Sequence, residues 1–371
     1  MNTTELNNFI VILIYGSLVL LSLLELTNPL KGNKKANACF GMFLFLWSTF
    51  WLDEILSLVK GSKVDVHSLL FVQVIQFLTP IIFYFSVLFF TNPAFKFKVS
   101  DLKYAILPVI FLANILFHHF VDFYIDGVFQ IVFLILILSQ ALFYTALSYI
   151  TIRKHKKRIQ LFSSNTEGIN LNWLEHIIVV IFVINIIFLI YNIFYDANAL
   201  NYLMNFIFLA VVYFVGCYCL RQKEIYPVEE NQVQELISIE DISDDKEEVK
   251  RKLISDEELS KIKAALEDLM KIEKPYLDSE LNLIKLSQIL SVSTHQLSYV
   301  INTGFQKNFF QYVNEYRIEY AKILLKDSSS KLSILGIAYE SGFNSKTSFN
   351  TTFKKITHQT PSEFKKISSG L

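Results

Sequence analysis

The chain has 371 residues and equal numbers of basic and acidic side chains, 34 of each, yet that balance holds nowhere locally. Residues 1–226 carry 15 Lys and Arg against 12 Asp and Glu, residues 227–271 carry 7 against 14, and residues 272–371 carry 12 against 8. An apolar front, an acidic middle and a basic tail argue against a single soluble globular unit. Three cysteines, Cys39, Cys217 and Cys219, lack framework spacing, which argues against a disulfide scaffold and suits apolar packing.

A helix crossing the hydrocarbon core needs about 20 apolar residues. Seven segments meet that length: 6–26, 39–59, 68–90, 102–121, 127–152, 173–194 and 201–220. The first has only Glu5 before it and no basic leader, so it reads as a span rather than a signal peptide. Basic residues follow the odd-numbered segments: Lys31, Lys34 and Lys35; Lys96 and Lys98; Arg153, Lys154, Lys156, Lys157 and Arg158; Arg221 and Lys223. The alternate loops are poorer in positive charge. The positive-inside rule then predicts a multi-pass protein of the inner, cytoplasmic membrane with its N-terminus outside and its C-terminus in the cytoplasm.

Several polar side chains fall inside these segments: Asp53, Glu54, Gln73, Gln76, Asn114, His118, Gln130 and Asn192. An intramembrane carboxylate is costly and usually faces a bundle interior or a wet cavity. Asp53, Glu54, Gln73, Gln76, Asn114 and His118 are therefore candidates for a ligand-sensing pocket open to the outside. The alternative is that they bond between helices or reach the hydrated surface. His118 and Asp122 share a helical face, with His119 and Asp126 nearby, but no second ligand pair is specified, so no metal is expected. Pro80 and Pro108 are expected to kink their spans. No intramembrane Ser/His/Asp set, HExxH motif or phosphate loop is present, so neither an enzyme nor a cofactor is expected.

Residues 227–271 read as an acidic linker followed by an amphipathic helix. Ser255 and Glu258 have the spacing of a capping box, and Leu259, Ile262, Leu266 and Leu269 form a stripe. That stripe could pack on the tail or pair two chains as a homodimer.

Residues 272–371 repeat one plan. Asn282 caps a helix 283–290, Ser291-Val292 turns, and Ser293 caps a helix 294–302. Ser333 then caps 334–341, Gly342-Phe343 turns, and Ser345 caps 346–356. A helix over 309–325 joins the two motifs, 283–302 and 334–356. Burial of Leu297, Val300 and Ile301 leaves His295, Gln296, Ser298 and Tyr299 outward. Burial of Phe349, Phe353 and Ile356 leaves Lys346, Thr347, Asn350 and Thr351 outward.

The run Ile337-Ala338-Tyr339-Glu340-Ser341-Gly342-Phe343-Asn344-Ser345, continued by Phe349, Phe353-Lys354-Lys355 and Thr360-Pro361-Ser362-Glu363-Phe364, resembles the AraC-type (AraC/XylS) transcription regulators. Tyr316-Arg317-Ile318-Glu319-Tyr320-Ala321 adds to the resemblance, which covers about residues 275–367. It implies a double helix-turn-helix domain whose two recognition helices enter adjacent major-groove segments of double-stranded DNA. His295, Ser298, Tyr299, Lys346, Thr347 and Thr351 match the family's base-reading positions, while Lys354, Lys355 and Lys307 suit phosphate. Two departures stand out: the first recognition helix carries no Lys or Arg, and Gly336 lies within a helix.

The whole reads as an all-α chain, a seven-helix transmembrane bundle (1–226) followed by a cytoplasmic double helix-turn-helix domain. Its expected role is that of a one-component regulator, in contact with DNA, the lipid bilayer and an unknown small ligand or membrane signal. The alternatives are a bundle that transports or modifies a substrate and a bundle that only anchors the tail.

Overall fold

Long runs of apolar residues without periodic alternation favour helices over strands, and every regular element among the described residues is helical. The computed structural model describes residues 2–28, 33–66, 69–93, 95–120, 126–167, 169–194, 198–219, 254–327 and 332–368. The acidic linker 227–252, Asp122 and the side chains of His118, His119, Asp126, Gln130 and Asn192 lie outside the described residues. The chain forms two units, Met1–Lys154 with Leu171–Ile225, and His155–Asn170 with Tyr226–Leu371.

The first unit contains α1 (Thr3–Thr27), α2 (Lys34–Ser48), α3 (Leu52–Lys60), α4 (Leu70–Thr91), α5 (Ile106–Phe120), most of α6 (Asp126–Ile159), α7 (Asn172–Phe194) and α8 (Asn198–Cys219). Six described stretches are long and apolar enough to cross a membrane: Thr3–Thr27, Lys34–Lys60, Leu70–Thr91, Val99–Phe117, Ile131–Ile159 and Tyr202–Cys219. The remaining expected segment corresponds to α7, whose described apolar stretch is Asn172–Val183.

The second segment is not one straight helix. Ser48 and Thr49 turn their hydroxyls back onto the carbonyls of Phe45 and Leu46, both at 2.6 Å. A 3-10 turn over Thr49–Trp51 follows, and Gln76 Nε2 donates to the Thr49 carbonyl at 3.2 Å. Such back-bonding and insertion into the helix ladder bend helices. Pro108 falls in the first turn of α5, where its missing N–H removes no helical bond, whereas Pro80 is interior to α4. Close packing uses a small residue where α1 meets α2: Ser22 Oγ donates to Gly41 O at 2.8 Å, and a Cβ on Gly41 would lie 2.9 Å from Leu26. Trp51 Nε1 donates to Asn205 Oδ1, and Asn205 Nδ2 to Asn7 Oδ1, each at 3.0 Å, tying the turn to α8 and α1. The outer faces stay apolar: Leu20, Phe71, Ile131 and Phe206 are each close to 60% exposed.

The second unit begins its tail with α9 (Asp256–Ile272). Ser255 caps it by accepting from Glu258 N at 3.1 Å, but the Glu258 carboxylate does not reach back as a capping box would; it accepts from Gln296 Nε2 at 2.9 Å. On α9 Ile262, Leu266 and Met270 are buried, and Leu259 packs on a cluster of Ile254, Ile262 and Val300. Of the four residues of the stripe, Ile262 and Leu266 are buried within the domain, as in the expected packing on the tail, while Leu259 and Leu269 are half-buried.

Then come α10 (Leu283–Ile289), α11 (Thr294–Tyr299), a π-helical turn Val300–Gly304, α12 (Phe309–Lys326), α13 (Ile334–Glu340), α14 (Lys346–Thr357) and α15 (Pro361–Ser368). Asn282, Ser293, Asn308, Ser333 and Ser345 each accept from an amide in the first turn of the following helix. A second core gathers Ile318, Ala321 and Leu325 of α12 with Ile337, Ala338, Phe343, Phe349 and Phe353.

One side chain joins the two halves. Arg317 is 1% exposed, and every guanidinium donor is used. Nε bonds Tyr276 O (2.7 Å); Nη1 bonds Ser164 O (3.3 Å) and Asn314 Oδ1 (3.2 Å); Nη2 bonds Ser164 Oγ (2.9 Å) and Asp278 O (2.8 Å). Burial pulls its pKa down to about 10, so it stays charged at neutral pH. Its guanidinium carbon lies 5.7 Å from the Phe343 ring centre. Beside it Gly342 has φ +83°, and a Cβ there would come within 2.3 Å of Tyr276 O. Only glycine fits that turn.

Candidate nucleic-acid interface

The second motif presents a polar face. On α14, Phe349 and Phe353 are fully buried, which turns Lys346, Thr347, Thr351, Lys354 and Lys355 outward as exposed side chains, with Asn350 half-buried. Ser345 caps the helix (Ser348 N to Ser345 Oγ, 3.1 Å), so Lys346 and Thr347 occupy its first turn. Lysines there can bond guanine edges or phosphate, and threonine can meet base edges or a thymine methyl.

The first motif differs. Leu297, Val300 and Ile301 are buried as expected, but Ser298, expected outward, is only 7% exposed. Its Oγ accepts from Asn302 Nδ2 at 3.4 Å. Ser298 and Asn302 stand four residues apart, one helical turn, and so share a face at the end of α11. Gln296 is also committed. It completes a capping box with Ser293 (2.9 and 3.2 Å) and donates to Glu258 of α9. Tyr299 packs on the Ile254–Ile262–Val300 cluster, and His295 is half-buried. Lys307, expected to suit phosphate, is ion-paired with Glu315.

The candidate ligand residues of the first unit separate into distinct places. Gln73 and Gln76 line a cavity of about 400 Å³ with Trp47, Phe77, Phe111 and Gln140. Gln140 was not among the sequence candidates. It is 1% exposed, donates from Nε2 to Phe77 O, and leaves Oε1 without a hydrogen-bond partner. Its signal was the same as for the others, an amide within an apolar run, but it lies deeper in its segment. Asp53 and Glu54 do not reach this cavity. They line a separate groove of about 790 Å³ with Ser57, Lys63 and Asp65, and Asp53 Oδ1 accepts from Val66 N at 2.8 Å. Asn114 is half-buried, its Nδ2 has no hydrogen-bond partner, and it lies outside the residues lining either space. The expected candidates thus line two separate spaces, Gln73 and Gln76 the cavity and Asp53 and Glu54 the groove. Among the described residues no group of three or more His, Cys, Asp or Glu is placed to hold a metal.

Comparison with known proteins agrees with this geometry. Residues 286–367 match the family described as a helix-turn-helix domain. An uncharacterised HTH-type transcriptional regulator of Staphylococcus aureus is 36% identical over 86 residues, 23% of this chain and 11% of the relative. Another, from Pseudoalteromonas carrageenovora, is 34% identical over 101 residues, 27% of this chain and 58% of the relative. The chain therefore spans only part of the length of these relatives, 11% and 58%. Among solved structures, the C-terminal domain of the two-component response regulator yesN from Fusobacterium nucleatum is 31% identical, with a TM-score of 0.26, covering 28% of this chain and 98% of that one. The tail of this chain is an AraC-type helix-turn-helix domain.

Proposed function

We propose that this chain is a membrane-embedded one-component transcription regulator. Its tail binds specific double-stranded DNA at the cytoplasmic face of the membrane, and its bundle responds to a signal. The observation that carries the DNA-binding part is the exposed, basic and hydroxyl-bearing face of α14 on a twice-capped helix-turn-helix pair. The apolar outer faces of the first unit and the placement of basic loops support a multi-pass arrangement with the C-terminus inside.

The cavity favours a sensing bundle over a passive anchor. Its volume falls within the range of small-molecule sites, roughly 300–1,000 Å³. Aromatic walls with Gln140 Oε1 unpaired suit a neutral, mainly apolar molecule carrying one hydrogen-bond donor.

The test is selection of binding sites from a random duplex library by the full chain in lipid nanodiscs. A shared sequence motif is expected among the bound duplexes. Recovery of unenriched sequence, with binding abolished by moderate salt alone, would overturn the reading.

A further inference from the structure

The basic loop between the fifth and sixth apolar segments does not stand apart from the tail. His155–Asn170 belongs to the same unit as Tyr226–Leu371. Its neck is closed by His155, whose Nε2 lies 2.8 Å from Ile169 O. Ile159, Phe162 and Ser164 are all buried.

The loop performs three structural tasks for the tail. It caps α10: Leu283 N donates to Phe162 O at 2.8 Å, and Ser164 N to Leu281 O at 3.3 Å, giving an antiparallel bridge between Ser163 and Asn282. It caps α12: Phe310 N, one of the unpaired amides of that helix's first turn, donates to Gln160 O at 3.0 Å. It also completes the setting of Arg317. Ser164 accepts through O and Oγ from both terminal guanidinium nitrogens, its O takes a further bond from Asn314 Nδ2 (3.1 Å), and its Oγ donates to Leu281 O (2.5 Å). Arg317 is the side chain that meets Tyr276 and Asp278 on one side and Phe343 on the other, where the two helix-turn-helix halves adjoin.

We infer that the groove bounded by Leu281, Asn282, Phe310, Asn314 and Arg317 is a docking surface for residues 160–164 of this chain, and that the docked loop is a positive control element for DNA binding. With Ser164 in place, the arginine at the joint has all its bonds and the two recognition helices hold one mutual arrangement. With the loop withdrawn, Arg317 loses two bonds, α10 and α12 each lose a cap, and the halves are no longer fixed for simultaneous groove contact. The ends of the loop run on in the chain into α6 and α7, so a change in those helices has a direct covalent route to the joint. This inference rests on the DNA-binding reading above.

The experiment uses the full chain in lipid nanodiscs and a duplex recovered by the selection just described. Ser163→Cys with Asn282→Cys is made with Cys39, Cys217 and Cys219 changed to Ala. Residues opposite each other in an antiparallel bridge have Cα atoms about 4.5–5.5 Å apart, within the range a disulfide spans. The disulfide is expected to form readily in air, and the oxidised protein to bind at least threefold tighter than its own reduced form. Ser164→Ala is expected to weaken binding about tenfold and to shorten the protected footprint from two groove segments towards one, with Ser164→Thr restoring most of both. A folded Ser164→Ala protein, verified by its thermal transition, with unchanged affinity and footprint would overturn the inference. So would equal binding by the oxidised and reduced pair, or tighter binding when the loop is weakened. If no duplex is selected at all, the DNA-binding reading fails instead.

Discussion

The two helix-turn-helix motifs follow one plan of caps, turns and buried apolar faces, yet they end in different conditions. On α14 five of the six outward candidates are exposed side chains with two buried phenylalanines beneath them. On α11 Ser298 is buried, and Gln296 and Tyr299 are engaged by α9. The same fold can thus yield an open reading surface or an occupied one, depending on what packs beside it. On the proposed function, the second motif carries most of the base discrimination and the first positions the domain.

The largest way to break this pairing is at the joint between the halves. Gly342→Ala should cost about 3 kcal/mol of stability, since it forces a side chain into a left-handed turn and against Tyr276 O. Thermal unfolding of the full chain would measure it; an unchanged transition would show that the turn relaxes freely. Next comes the contrast itself. Lys346→Ala should weaken binding to the preferred duplex by about 1–3 kcal/mol and relax base preference, while Ser298→Ala should change affinity by under about 0.5 kcal/mol. Equal losses from the two would erase the distinction between the motifs. Lys354→Ala should lower affinity for all sequences alike and reduce the salt slope by about 1, read from titrations at several salt concentrations. The smallest effect concerns helix propensity in the second motif. Gly336→Ala should raise stability by up to about 1 kcal/mol, because a Cβ there meets only ordinary contacts, at 3.4 Å and beyond.

Much of the helical framework was legible in the sequence because it is written in local signals. Asn282, Ser293, Ser333 and Ser345 cap where polar residues precede apolar periodicity, and the joining helix runs Phe309–Lys326 against an expected 309–325. Reading failed where packing neighbours, rather than the local pattern, decide burial and placement. Ser298 is buried although the apolar stripe of Leu297, Val300 and Ile301 left it outward, and Asp53 and Glu54 line a different space from Gln73 and Gln76. The docking of 160–164 left almost no sequence trace, because most of its bonds come from backbone carbonyls. Its partners lie more than a hundred residues further along the chain, Leu281 at a separation of 117 and Arg317 at 153.

That separation has a consequence for how the protein comes into being. Synthesis proceeds at roughly 5–20 residues per second, so the loop leaves the ribosome roughly 8 to 30 seconds before Arg317 does. Until then Ser164 waits without its partner, and α10 and α12 are not yet made. The DNA-binding domain thus becomes complete only after the fifth and sixth apolar segments, which flank the loop, have been synthesised. A tail expressed by itself from residue 226 onward would be assembled without the strand of chain that caps two of its helices. Its behaviour would describe an unfinished domain, since the order of synthesis makes the tail's completion depend on the part that precedes it.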